Sequence, residues 1–144
     1  MSAALPIGRR GGMLVPQLSL AVNEFSFDGD PSYGDNDLPA APDDVLRGEL
    51  LYRHAKGVFV GPTFDVVGKR FADFANSYRV DSYALLGVRA GWANERWSFY
   101  AEVVNAADER YVATVGVRDV ASVDDALLNP GLPRSAYFGV TGRF

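Results

Sequence analysis

The sequence contains no cysteine and only one histidine, His54, among its 144 residues. The absence of cysteine excludes disulfides, zinc–thiolate sites and thiol catalysis, and a single imidazole excludes most transition-metal sites. Because His54 falls in a short predicted turn, the sequence supports no Ser/His/Asp arrangement. We therefore expect no enzyme active site and no cofactor.

Long hydrophobic runs are also missing, since the longest is the four residues 83–86. A membrane-spanning helix needs about 20 such residues in succession, so a helical membrane protein is excluded. The first ten residues have no basic stretch followed by an apolar one. This predicts that the chain carries no secretory signal peptide of its own.

Positive charge is scarce, because 14 Lys and Arg residues stand against 18 Asp and Glu residues, for a formal net charge of −4. The basic residues are scattered except for the pair Arg9 and Arg10. A nucleic-acid surface needs clustered positive charge, so we expect no nucleic-acid partner.

What the sequence does have is alternation between apolar and polar residues. The last eleven residues, 134–144, show it clearly, because every second residue from Ala136 to Phe144 is apolar or glycine, as on one face of a β-strand. The same period predicts six long strands, at residues 17–27, 44–53, 58–68, 82–92, 97–104 and 134–144. Residues 1–16, which glycine and proline interrupt, are expected to be irregular.

The predicted connections alternate in length: they are long at 28–43, 69–81 and 105–133, and short at 54–57 and 93–96. Transmembrane β-barrels have this alternation, with short periplasmic turns and long extracellular loops. Strands of about 10 residues, tilted near 45°, cross the roughly 25 Å apolar band of an outer membrane. The expected fold is therefore all-β: an antiparallel meander that forms an incomplete segment of a transmembrane barrel.

The two faces of the predicted strands differ in content. One face is apolar or glycine with one proline, while the other mixes charged, polar and some hydrophobic residues. Charges in the middle of strands are tolerated by a water-filled or plugged lumen but not by a packed core. We therefore expect outer-membrane lipid against the apolar face, and the following charges in the lumen: Arg47, Glu49, Arg53, Asp65, Arg89, Glu102 and Arg143. A soluble, lipocalin-like barrel is an alternative.

The stretch Asn105-Ala106-Ala107-Asp108-Glu109-Arg110-Tyr111 resembles the N-L-F-D-x-x-Y signature that closes the penultimate strand of TonB-dependent outer-membrane receptors. Asn105, Asp108 and Tyr111 match it, whereas alanines stand where the family usually has Leu and Phe. Residues 134–144 are similar to the family's terminal strand, in which the C-terminal Phe, here Phe144, is an assembly signal. The resemblance covers about residues 17–144.

This resemblance implies the C-terminal part of a receptor that imports a scarce, large nutrient such as a ferric siderophore or a corrinoid. It implies the outer membrane of a Gram-negative bacterium as the location. The implied partners are the rest of the barrel, a plug domain, TonB acting through that plug, and the barrel-assembly machinery acting on the last strand. A small outer-membrane pore or structural barrel is the alternative function.

Six strands are fewer than the roughly eight of the smallest membrane barrels, and the sequence contains neither a plug domain nor a TonB box. We therefore expect residues 17–144 to be a segment of a larger barrel, a truncated product or a fragment, with an open sheet when isolated.

Two local patterns suggest further features. The acidic connection 28–43 invites a calcium site, but its glycine spacing and the lack of a closing Glu do not fit an EF-hand, so a solvated loop is expected. Residues 122–125 resemble a capping box before Ala126-Leu127-Leu128, which predicts one helical turn in the last connection.

Overall fold

The computed structural model describes residues 5–7, 11–122, 124–125 and 128–143. All regular structure within these ranges is β. In chain order the strands are β1 (Leu5–Ile7), β2 (Gly12–Val22), β3 (Asp44–His54), β4 (Val58–Val67), β5 (Arg70–Phe71), β6 (Arg79–Val80), β7 (Tyr83–Ala93), β8 (Trp97–Val104), β9 (Val112–Val115), β10 (Leu128–Pro130) and β11 (Ser135–Gly142). No helix in the described ranges has the length and apolarity to cross a bilayer.

Seven strands build one antiparallel sheet in the order β1-β2-β3-β4-β7-β8-β11. Two small hairpins, β5 with β6 and β9 with β10, lie within the long connections. Within the described part of the chain, β1 and β11 each pair with one strand only, so the sheet is open. The antiparallel meander predicted from the sequence is confirmed, with its long connections at one end of the sheet and its short turns at the other.

The first long strand differs from the prediction. It covers Gly12–Val22 instead of residues 17–27, and the short strand β1 pairs with its beginning. The sequence misleads here because Pro16 and the neighbouring glycines resemble loop punctuation. Pro16 nevertheless lies within β2, where it is opposite Leu50 of β3.

The helical turn predicted near residues 122–128 is also not observed in the part of that segment that the structure describes. One capping-box hydrogen bond is present, from Ser122 N to Asp125 Oδ2 at 2.8 Å. However, Leu128–Pro130 pairs with Val112–Val115 as a strand, so Leu128, the one described residue of the predicted turn Ala126-Leu127-Leu128, is extended. Val123, Ala126 and Leu127 lie outside the described residues.

The register of the sheet assigns each side chain to one of two faces, because residues opposite each other in neighbouring strands share a face. The face that carries the apolar side chains, which we call the apolar face, stands open. Seven of its described residues are more than half exposed: Leu5, Leu18, Leu20, Val22, Leu86, Phe138 and Val140. A continuous apolar surface of this extent needs a cover.

The opposite face, which we call the polar face, holds the best-buried side chains of the sheet: Leu51, Phe59, Val67 and Leu85. Its side chains therefore cover one another, while those of the apolar face point away from the protein. A soluble barrel would have the reverse arrangement, with its apolar side chains inside.

Aromatic residues gather on the apolar face near the short turns. The Phe99 ring stacks between those of Trp92 and Trp97, with centroid distances of 6.1 and 6.2 Å. The Trp92 Nε1–H donates to Lys56 O in the adjacent turn at 2.9 Å. An apolar ring with a satisfied polar tip suits a membrane–water interface.

Two glycines on the polar face allow aromatic rings to lie across neighbouring strands. Gly91 is opposite Phe59, and Gly139 is opposite Tyr100. A β-carbon at either glycine would overlap the facing ring. Each ring thus covers backbone that glycine leaves bare and helps to hold the register.

Adjacent residues of β2 test the assignment of the faces. We expect Leu18→Arg to lower the free energy of unfolding by about 2 to 4 kcal/mol, because it places a charge in hydrocarbon. Gln17→Arg, one residue away on the polar face, should cost much less, since Gln17 is opposite Glu49. Urea unfolding of the membrane-inserted receptor that contains these residues measures both values, and equal costs would contradict the assignment.

Candidate functional site

The polar face carries a cluster of paired charges at its centre. Arg89 lies between two carboxylates: its Nη1 is 2.8 Å from Glu49 Oε2, and its Nη2 is 3.0 Å from Glu102 Oε2. The side chains of Glu49 and Glu102 are only 14% and 18% exposed. Glu102 is directly opposite Arg89, whereas Glu49 lies beyond β4, where Gly61 stands opposite Arg89 and presents no side chain in between.

The remaining predicted lumen charges are less closely connected. Arg47 Nε pairs with Asp65 Oδ1 at 3.1 Å, but the Arg47 side chain is 64% exposed, so the pair contributes little. The Arg53 guanidinium lies over the Phe59 ring, 5.3 Å from its centroid. Arg143 follows β11, and its backbone N–H bonds to Arg96 O at the short turn. The seven charges thus form two ion-pair clusters and two separate arginines.

A groove of about 500 Å³ runs along this face between the two ion-pair clusters and the end of β8. Its polar lining comes from five strands and the residue after β8: Gln17, Ser19, Arg47, Glu49, Thr63, Asp65, Arg89, Glu102 and Asn105. The groove therefore offers donors and acceptors of both charge signs to whatever covers the polar face.

The stretch 105–111 forms the turn that follows β8. Asn105 is buried, and its amide Nδ2 donates to Glu109 O at 2.9 Å and to Leu132 O at 3.1 Å. Its Oδ1 accepts the backbone N–H of Glu109 at 2.8 Å. Asn105 also has a positive φ of 53°, which asparagine tolerates better than most residues. One side chain thus closes the turn and ties it to the segment before β11.

The other two residues of the motif make contacts of the same kind. Asp108, with φ of 58°, accepts the backbone N–H of Arg134 through Oδ1 at 2.9 Å. Tyr111 packs against Tyr83 with a centroid distance of 4.4 Å, and its carbonyl accepts the N–H of Gly131. All three matching residues therefore orient the chain between β8 and β11. Phe144, the predicted assembly signal, lies outside the described residues.

Acidic side chains of the connection after β2 serve as turn formers. Asp30 Oδ1 accepts the N–H groups of Ser32 and Tyr33 at 2.8 and 3.0 Å, and Asp35 Oδ1 accepts that of Gly29. Within the ranges that the structure describes, no three His, Asp or Glu side chains come together as metal ligands. These contacts fit the solvated loop expected from the sequence.

Sequence reasoning missed Asp73, a fully buried carboxylate in the connection between β4 and β7. Its oxygens accept hydrogen bonds from the backbone N–H groups of Ser77, Tyr78 and Ala121 and from the Ser77 hydroxyl. Burial raises the pKa of Asp73, but these hydrogen bonds together lower that pKa below its ordinary value of 3.8. The carboxylate therefore contributes stability above pH 3.8, which is lost as the pH falls through the lowered pKa.

Arg70 is the second residue that the sequence did not single out. It is buried at the start of the same connection, and its Nη2 donates to Val112 O and Ala113 O at 2.7 and 3.3 Å. Arg70 binds the carbonyls of Val112 and Ala113, and Asp73 binds the N–H of Ala121, all more than forty positions away, so these contacts leave no local sequence signal.

Comparison with known proteins relates this geometry to one family. Residues 9–106 match the model of the family described as TonB dependent receptor-like, beta-barrel. Three solved structures share the fold and are each covered over only about a fifth of their length. The ferric-catecholate import receptor Fiu of E. coli K12 is 18% identical with a TM-score of 0.59, and the match covers 96% of this chain and 19% of that one. The ferric yersiniabactin uptake receptor FyuA of Yersinia pestis is 20% identical with a TM-score of 0.63, and the match covers 96% of this chain and 21% of that one. The siderophore receptor PiuA of Acinetobacter baumannii is 17% identical with a TM-score of 0.62, and the match covers 96% of this chain and 20% of that one.

The charge cluster yields a test with an internal control. We expect Arg89→Ala to lower the free energy of unfolding by about 2 kcal/mol, because it leaves two poorly solvated carboxylates without their cation. Arg47→Ala, which breaks the exposed pair, should cost less than about 1 kcal/mol. Urea unfolding in detergent micelles gives both values, and a larger cost for Arg47→Ala would contradict the picture of a central cluster.

The turn motif yields a second test. We expect Asn105→Asp to lower the free energy of unfolding by about 2 to 4 kcal/mol, since a buried carboxylate cannot donate to Glu109 O and Leu132 O. Asp108→Asn keeps an acceptor for Arg134 N and tolerates a positive φ, so it should cost less than about 1 kcal/mol. The same unfolding measurement applies, and a neutral Asn105→Asp would show that its amide donors are not needed.

Proposed function

The chain belongs to the TonB-dependent receptor-like β-barrel family, and we propose that it forms the C-terminal part of the barrel wall of a nutrient receptor. Homologous receptors are outer-membrane transporters of Gram-negative bacteria and are not enzymes. In this proposal, the apolar face of the sheet contacts lipid, its polar face lines the lumen, and its long connections lie at the outer mouth of the barrel. The position near the C-terminus is supported by the motif Asn105, Asp108 and Tyr111.

One observation carries this proposal: the sheet has an open apolar face and a self-covering face with paired charges in the middle of its strands. Burial in a dry core would penalise Glu49, Arg89 and Glu102, whereas a lumen that is wet or filled by a polar domain accommodates them. Only a membrane barrel with a polar interior accounts for both faces at once.

In the complete receptor, the polar face is the wall against which the plug domain packs. The family generally has such a plug and interacts with TonB. Arg89 supports this role, because its Nε is shielded from solvent and has no partner among the described side chains or backbone groups. The plug supplies acceptors and donors to the groove, and TonB acts on this wall only through the plug.

The two outermost strands pair with the remainder of the receptor. An unpaired strand edge in hydrocarbon leaves backbone N–H and C=O groups unsatisfied at a cost of several kcal/mol each, so the barrel must close. The C-terminal strand, with Phe144, is the segment on which barrel-assembly machinery acts in this proposal. The lipid, the plug and the missing strands are thus the partners of this chain.

The cargo that we propose is a large, scarce nutrient such as a ferric siderophore or a corrinoid. Support comes from the structures with the same fold, which are described as receptors for ferric catecholates, for ferric yersiniabactin and for a siderophore. A small pore, by contrast, would let small solutes diffuse passively, without coupling to an energy source.

Uptake measurements test the proposal. Cells that express the complete receptor containing these residues would be given ferric catecholate, ferric yersiniabactin and cyanocobalamin, each radiolabelled. We expect at least one to accumulate, and only when TonB and the proton gradient are intact. Unselective entry of small sugars that is indifferent to TonB would instead identify a simple pore.

A further inference from the structure

The three long connections touch one another at the same end of the sheet. We call residues 23–43 loop A, residues 68–82 loop B, and residues 105–134 loop C, of which 105–122, 124–125 and 128–134 are described. Loop B lies between the other two, and its contacts with them differ in kind.

Loop B and loop C are joined through a small core and a buried carboxylate. Ala72 and Val80 of loop B pack with Ala121 of loop C, and these three form a buried cluster. Asp73 reaches from loop B to the backbone N–H of Ala121 at 3.0 Å. Further backbone bonds follow this contact, from the N–H groups of Phe74 and Ala75 to the carbonyls of Arg118 and Asp119 at 3.0 and 2.9 Å.

Arg70 adds a second connection between loops B and C. Its guanidinium, which is buried, donates to the carbonyls of Val112 and Ala113 at the start of β9. Hydrogen bonds from a charged group are about twice as strong as those between neutral groups, and burial strengthens them further. The two loops are thus held at both ends of their contact by buried, charged side chains.

Loop A is attached to both of the others. Asn76 of loop B bonds reciprocally with the backbone of Asp37, at 2.7 and 2.9 Å, and Asn36 donates to Phe74 O at 2.9 Å. The Tyr33 hydroxyl donates to Asp119 of loop C at 3.0 Å.

Ring packing joins loop A to loop B as well. The Tyr33 ring lies 5.3 Å from the ring of Phe27 and 5.3 Å from that of Phe74. Every pair of loops therefore has direct contacts of its own.

We propose that loops A, B and C form one preassembled unit whose contacts loosen together, with Asp73 holding loop C to loop B. The physical reason is cooperativity: Asp73, Asn76 and Phe74 take part in neighbouring contacts, so loosening one contact removes the geometry that the next requires. Independent loops would each open with a free energy of their own.

Hydrogen exchange on the complete receptor in outer-membrane vesicles tests this without knowledge of the cargo. Ser77→Ala removes one of the four hydrogen bonds to Asp73 and leaves the carboxylate in place. We expect faster exchange, by at least tenfold, at Tyr78 of loop B, at Ala121 of loop C and at Asp37 of loop A together. Faster exchange confined to loop B would overturn the proposal.

A distance measurement provides the second test. The chain has no native cysteine, so spin labels are placed at Ser32→Cys, Asp81→Cys and Val120→Cys, one exposed position in each loop. The three pairwise distance distributions should be narrow in the parent protein and should all broaden with Asp73→Asn. Heat-modifiable migration in gels shows that the variant barrel is assembled.

Asp124→Asn is the matched control, because it removes the same charge from an exposed position of loop C. It should leave exchange and distances unchanged. Broad distributions in the parent protein, or broadening of a single pair with Asp73→Asn, would show that the loops move separately and would overturn the proposal.

Discussion

The structure depends first on the backbone register of its long antiparallel strands. A peptide group in hydrocarbon has no water to bond, so every N–H and C=O must find its partner on the next strand. Because side chains alternate between faces, that pairing also decides which of them lie on the apolar face and which on the polar face, and a slip of one residue would exchange the faces. Two adjacent pairs of β3 and β4 illustrate this: Arg47 is opposite Asp65 on the polar face, and Leu46 is opposite Val66 on the apolar face.

The side chains support that register in ways that the alternation alone does not require. Proline at position 62 cannot donate a hydrogen bond, and the recorded pairing of β3 with β4 is interrupted opposite it at Leu50 and Leu51. The same register resumes at Tyr52 opposite Val60. Phe59 over Gly91 holds β4 to β7 on the polar face, and Tyr100 over Gly139 holds β8 to β11 in the same way.

Three side chains of the polar face and of the loop end each meet several specific partners. Arg89 is paired with two carboxylates, Asn105 uses three of its hydrogen-bonding positions, and Asp73 accepts four hydrogen bonds. Such groups stabilise little in total, because desolvation offsets their attraction, but each disfavours arrangements in which it would be unpaired. They therefore specify geometry more than they add stability.

Much of the fold was predictable from the sequence, because the period of two and the alternation of loop lengths are local properties of the chain. They predicted the antiparallel meander, five of the six long strands and the face that the charges within those strands share. The resemblance in 105–111 also identified the family, although alanine replaces two of its residues. The first strand was misplaced because Pro16 and the glycines near it resemble loop punctuation, whereas Pro16 lies within β2, opposite Leu50.

Only the tertiary structure decided which of those charges pair with one another and which contacts the long connections make. Arg89 reaches Glu49 over Gly61, a contact that spans forty positions of sequence, while Arg53 turns to a ring instead. Leu128–Pro130 forms a strand because it pairs with Val112–Val115. Asp73 joins two connections because its carboxylate accepts the backbone N–H of Ala121. The sequence by itself determined the period and the faces, since these follow from each residue's neighbours along the chain. The hydrogen-bond and ion-pair partners of each side chain were decided only by the tertiary structure, because folding brings together residues that are far apart in the sequence.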